Sequence, residues 1–184
     1  MLFRQLLTPR CQRLSYLVAD QRGGEALLID PHPSQRTVVK ALLSDCQLRL
    51  KAELFTHHHG LQPADGHRPH SLHLGRFPVH TLPTPGHTRA DVCYLWQDRL
   101  FSGDTLHPAG CPAPLADSLP GRWFDSVTRE LFTLPDETLV FPGHLSDGRT
   151  VSTIGEERRR NVFFSGVSRE SFIARFQRLR TAES

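Results

Sequence analysis

Four apolar runs in this chain each end in a tight turn that carries an imidazole or a carboxylate. They read ELFTHHHG, FPVHTLPTPGHT, RLFSGDT and ETLVFPGH. Short apolar runs bounded by glycine and proline read as strands. The ligand-type side chains His57, His59, His87, Asp104 and His144 therefore all follow strands directly. Glycine precedes His87, Asp104 and His144, so the backbone can turn sharply there and point the side chain inward. Rigid strands that deliver loops of this kind are a common way to build a site.

The remaining elements fit around these four. Residues 15–20, a Gly23-Gly24 turn and residues 25–31 read as a β-hairpin. Residues 34–45 place Val38, Val39, Leu42 and Leu43 at helical spacing, with Ser34 as the N-cap. Residues 50–57 then return as a buried strand, which gives a β-β-α-β order. Residues 60–75 have no clear periodicity and read as loop. Short strands follow at 77–83, 91–97 and 99–104, then a proline-rich loop at 107–121. A helix over 125–135 carries Val127, Leu131 and Leu134 on one face, and a strand runs to His144. The tail places Phe172, Phe176 and Leu179 at i, i+4 and i+7, an amphipathic helix packed on a sheet. No internal repeat or linker interrupts the chain, so residues 1–184 read as a single α+β domain.

Charge and cysteine usage exclude several classes. The net charge is +3, from 22 basic and 19 acidic side chains, and no aromatic-rich basic stretch is present, so nucleic acid is not the expected partner. The mixed run Glu156-Glu157-Arg158-Arg159-Arg160 reads as a solvated helix face. Cys11, Cys46, Cys93 and Cys111 are widely spaced and match neither a zinc knuckle nor a CxxC motif. No signal peptide and no apolar window of about 18 residues is evident. The expectation is a cytoplasmic protein with free thiols and no membrane contact. Eleven histidines are the anomaly, and five of them (57, 58, 59, 67 and 70) crowd into one stretch.

A single histidine at a strand end is usually a satisfied polar residue, and a loop of solvated histidines is the bland reading of THHHG. Four strand-end signals in this order point instead to a divalent metal such as zinc or iron, for which imidazole and carboxylate are suitable ligands. The order T-H-x-H, T-P-G-H-T, S-G-D-T and P-G-H resembles the metallo-β-lactamase superfamily across essentially the whole chain. Within it, LFRQLL, LLIDP, SGDTL…GC, DSV…LFTLP, GRTVSTIGEERRRN and SRESF resemble the persulfide dioxygenase (sulfur dioxygenase) branch.

The resemblance implies a four-layer αββα sandwich with its metal at one edge. It implies one Fe(II) per chain held by His57, His87 and Asp104, which serve as the metal-ligating and catalytic residues. The implied reaction oxidises the outer sulfur of a thiol persulfide, commonly glutathione persulfide, with O₂ to give sulfite and thiol. His59 and His144 are then second-shell groups or weak ligands, and Cys111 belongs to the substrate pocket. Homodimerisation is left open.

The chain departs from the family at specific places. The superfamily motif H-x-H-x-D-H has Leu61 and Gln62 at its last two positions here, which removes the ligands of a second metal. Asp65 and His67 lie in a different register. The segment before TPGHT is short. Ala113 stands where relatives have an arginine that helps to hold glutathione, and Leu145-Ser146 replace Asp-Tyr. These changes should weaken glutathione binding. His58 points away from its neighbours if the strand continues. His32, His70, His73, His80 and His107 read as surface residues. Two rivals stand beside the dioxygenase. One is a zinc hydrolase of the glyoxalase II type that uses His57, His59, His87 and Asp104. The other is a metal-binding relative without catalysis.

Overall fold

The chain opens with strand β1 (Leu2–Thr8), which pairs antiparallel with β2 (Arg13–Ala19). β2 pairs antiparallel with β3 (Glu25–Ile29), and β3 pairs parallel with β4 (Arg49–Leu54). A parallel pair needs a long crossover, which helix α1 (Arg36–Asp45) supplies. The computed structural model describes residues 1–57, 72–145 and 147–182, without the side chains of 180–182. His58, His59, Leu61, Gln62, Asp65, His67, His70 and Ser146 therefore lie outside the described residues, and so does most of the expected 60–75 loop.

The second sheet repeats the logic. It contains β5 (Leu72–Leu74), β6 (Phe77–Pro83), β7 (Val92–Trp96), β8 (Arg99–Gly103), β9 (Leu139–Pro142) and β10 (Ser152–Thr153) in the order β10-β9-β8-β7-β6-β5. Only β8 and β9 run parallel among these described strands. Their crossover contains helix α2 (Pro120–Asp125), continued by a wide turn at Ser126–Glu130 and a tight one at Leu131–Thr133. Helices α3 (Ile154–Arg160) and α4 (Arg169–Ala182) complete the chain.

Side-chain alternation along the strands creates three apolar layers. Leu14, Tyr16, Val18, Ile29 and Leu54 of the first sheet meet Val79, Tyr94, Trp96, Phe101 and Phe141 of the second. On the outer face of the first sheet, Leu17, Ala19 and Leu28 pack beneath Val39 of α1. On the outer face of the second, Cys93, Leu100 and Val140 pack beneath Trp123, Val127, Phe172 and Phe176. The result is the four-layer αββα sandwich.

Several local expectations are revised. The strand β1 was not foreseen, because LFRQLLT alternates weakly. Ser34 is not the cap. His32 caps a short 3-10 turn at Pro33–Gln35, its Nδ1 accepting from the Ser34 backbone N–H, and α1 begins at Arg36 after Gln35, whose side chain makes no cap bond. β4 is not wholly buried, because it pairs only with β3 among the described strands and exposes alternate residues. The helix expected at 125–135 starts earlier, at Pro120, whose fixed φ suits a first helical position. Phe172 and Phe176 are fully buried, but Leu179 is exposed. No helix of the described residues is long and apolar enough to cross a membrane.

Candidate metal centre

The four motif loops meet where the two sheets are joined. His57 follows β4, His87 follows β6, Asp104 follows β8 and His144 follows β9. The Val92 N–H donates to the Thr56 carbonyl at 2.8 Å, which ties the end of β4 to the second sheet. The Gly143 N–H donates to the Gly103 carbonyl at 2.8 Å, so the loops of Asp104 and His144 run together. Leu14 N–H donates to Gly143 O and Leu145 N–H to Gln12 O, both at 2.8 Å, around an antiparallel bridge between Arg13 and His144. Gly103 has a φ of +53°, and a Cβ there would meet Thr56 Oγ1 at 2.2 Å, so this approach of the two loops requires glycine.

Asp104 is the centre of the cluster. Its Oδ1 lies 2.7 Å from His144 Nδ1 and 3.0 Å from His107 Nε2, while Oδ2 lies 3.4 Å from His57 Nε2. Donor atoms of His57, Asp104 and His144 all fall within 4.8 Å of one another. His57, His87 and Asp104 are buried, and His144 is half-buried. The His87 ring stands edge-on to His57 at 5.9 Å between centroids and edge-on to Trp123 at 5.1 Å. The structure thus brings His144 against Asp104, where the family resemblance gave it a secondary place, and keeps His87 in the same pocket beside His57. His59 lies outside the described residues. Two imidazoles and a carboxylate, close together and shielded from water, form a donor set that suits zinc or iron.

The orientation of His57 comes from a residue that sequence reading did not single out. Asp30, at the end of LLID, has a φ of +49° and is buried. Its carboxylate accepts from the Thr56 N–H at 2.8 Å and from Thr56 Oγ1 at 2.7 Å. Burial, offset in part by these bonds and by Arg13, raises its pKa to about 6. Because the Thr56 hydroxyl gives its proton to Asp30, its oxygen is left to accept from His57 Nδ1, 2.7 Å away. That tautomer presents the lone pair of Nε2 toward Asp104, as a metal ligand requires.

Asp91 plays the equivalent part for the TPGHT loop. It accepts from the Thr88 N–H at 2.6 Å and from the Thr88 hydroxyl, and burial raises its pKa to about 7. Ser118 Oγ donates to the His87 carbonyl at 2.6 Å. The three-residue spacing of Thr88 and Asp91 is a turn signal that the sequence offered.

His107 corrects the reading of it as a surface residue: it is buried against Asp104. The cause is a contact made far along the chain. Glu157 Oε2 accepts from the Ala109 N–H at 2.9 Å and from Asn161 Nδ2 at 2.7 Å. Asn161 Nδ2 also donates to the carbonyls of His107, at 3.2 Å, and Gly110, at 3.0 Å. These bonds fold the 107–110 turn back over the site. Glu157 is fully buried, so the run read as a solvated face has one member facing inward. Cys111 is partly buried against the outer core of the second sheet, and desolvation pushes its thiol well above its usual range. Ala113 is exposed.

No profile of a known protein family matches the chain. The human protein named persulfide dioxygenase ETHE1, mitochondrial, is 32% identical over an alignment of 204 positions, gaps included, that covers 94% of this chain and 79% of the human protein. The crystal structure of ETHE1 from Myxococcus xanthus matches with a TM-score of 0.89 at 33% identity, covering 97% of this chain and 91% of that one. A metallo-beta-lactamase from Staphylococcus aureus shares the fold, with a TM-score of 0.80 at 22% identity over 96% of this chain and 66% of that one.

Proposed function

The chain belongs to the persulfide dioxygenase branch of the metallo-β-lactamase superfamily, and on that premise we propose that it is a non-haem iron dioxygenase acting on a small thiol persulfide. The observation that supports this most is the buried group around Asp104, with His57 and His87 at its side and His144 against it. The reaction converts persulfide, O₂ and one water into thiol, sulfite and two protons. The S–S bond breaks, the outer sulfur is oxidised, and O₂ is reduced. His57, His87 and Asp104 would hold Fe(II), which when bound would supply the activation of O₂. One iron per chain is proposed, because Leu61 and Gln62 occupy the positions of a second metal's ligands.

The chain's own residues then have distinct tasks. Asp30 and Thr56 fix the His57 ring. His107 and His144 hold one oxygen of Asp104 and leave the other turned toward His57. Trp123 packs against His87, and its Nε1 donates to the Thr105 carbonyl at 2.8 Å, which anchors the ring that limits water on that side. Glutathione persulfide is proposed to be a poor substrate relative to a smaller or less acidic persulfide, because Ala113 supplies no cation. A reducing compartment such as the cytoplasm suits the four free thiols.

Metal analysis of protein from iron-supplemented cells, combined with an oxygen electrode, tests the proposal. Iron together with persulfide-dependent O₂ uptake supports it. Zinc with thioester hydrolysis would replace it with the hydrolase reading, and metal without turnover of either substrate would replace it with a non-catalytic one.

A further inference from the structure

A second site stands apart from the metal cluster, on the outer face of the first sheet. Leu14 and Tyr16 of β2 enter the core between the sheets, so Arg13 and Leu17 face the other way, toward α1. Arg13 is only 7% exposed, and among the described residues its Nη2, which is sealed from solvent, has no hydrogen-bond partner. Its charge reaches the carboxylate of Asp30, which already accepts from both donors of Thr56. A buried guanidinium with an unfilled donor is costly unless something completes it.

Arg13 is also among the residues that line a cleft of about 580 Å³ beside α1 and the end of β4. That volume lies within the range of small-molecule sites, roughly 300–1,000 Å³. Among its described lining residues, Leu28, Val39, Leu43, Leu50 and Phe55 form an apolar wall. Arg36 and Lys40 add exposed cations from successive turns of α1, against the single acid Glu53. None of His57, His87, Asp104 or His144 lines it. A buried cation in the lining, exposed cations beside it and an apolar wall together match one chemistry: an anionic head on an apolar chain.

We propose that this cleft binds a small amphipathic organic anion, a carboxylate on an aliphatic chain, whose head pairs with Arg13 and whose chain lies along Leu28, Val39 and Leu50. The planar guanidinium fork favours a carboxylate, and Arg36 and Lys40 screen out cations. The site does not depend on the dioxygenase reading, since no metal ligand contributes to it. It is coupled to the metal centre by position, because Arg13 forms the backbone bridge to His144 and Phe55 lies two residues before His57.

Isothermal titration of the metal-loaded protein with sodium octanoate tests the site, with octylammonium and inorganic phosphate as comparison probes. Wild type should bind one octanoate per chain and no octylammonium, and phosphate at least about tenfold more weakly than octanoate. Arg13→Gln should weaken octanoate at least about tenfold, the usual consequence of removing a charged hydrogen-bond partner. Lys40→Glu, at an exposed helix position that leaves the core untouched, should weaken it by a factor of about three or more, whatever Arg13→Gln does to folding. No octanoate binding to wild type would overturn the proposal. So would unchanged affinity in Arg13→Gln or in Lys40→Glu, and phosphate binding as tight as octanoate would show an anion patch without an apolar component.

Discussion

His107 Nε2 lies 3.0 Å from Asp104 Oδ1, the same oxygen that His144 Nδ1 approaches at 2.7 Å. Two imidazoles therefore hold one carboxylate oxygen and leave the other turned toward His57. Groups that orient a ligand in this way typically govern metal affinity by a factor of about 10–100. His107→Ala should lower metal retention about tenfold, read by competition with a chelator, while the circular dichroism spectrum stays native. Unchanged retention would mean that His144 alone orients Asp104.

The ligand set can be read by elemental analysis of four variants. His57→Ala, His87→Ala and Asp104→Ala should each lose most of the iron and keep the fold, because loop-end side chains carry little of the core. His144→Ala should retain more than any of them. Full iron content in His87→Ala, with loss in His144→Ala, would transfer the third ligand position from His87 to His144.

Asp91 gives the stability a pH dependence. Its carboxyl titrates near 3.8 in the unfolded chain and about 7 when folded, because burial outweighs the bonds from Thr88. Between those values the folded state binds the extra proton, so its contribution to stability falls as pH rises from about 4 to about 7 and is level above that. Asp30, raised to about 6, acts in the same direction over a narrower window. Urea unfolding of metal-free protein should show a shallower decline across this range in Asp91→Asn than in wild type. An equal or steeper decline in the variant would place the titration on other groups.

Asn161 anchors the 107–110 turn through its side-chain amide. Asn161→Ala leaves Glu157 and two carbonyls without that donor in a buried setting. The cost should be about 2 kcal/mol in denaturant unfolding, within the range for buried groups left unsatisfied. It should also release His107, so metal retention should fall in parallel. Loss of stability with metal retention intact would separate the turn from the site.

Much of this was legible in the sequence because it is local. A short apolar run closed by glycine and a ligand residue announces both the strand and the loop at its end, and β6 runs over the residues expected, 77–83. The burial of His107 was not legible, since it depends on Asn161, 54 residues away. Asp30 was hidden for the same reason: its partner Thr56 is 26 residues further on, across a parallel strand pair. Asp91 differs, because Thr88 is three residues away and the turn they close could have been read directly. The sequence showed which side chains could ligate, but the spatial order of His87 and His144 around Asp104 came only with the packing of the loops.

The bridge between Arg13 and His144 also bears on how the molecule breathes. Two backbone hydrogen bonds, Leu14 to Gly143 and Leu145 to Gln12, fasten the first sheet to the second at the very loop that carries His144. Any fluctuation that parts the sheets there must release both amides to solvent before the histidine can swing away. The exchange rates of these two protons with deuterium thus become a clock for opening of the centre, and they should slow together when metal binds.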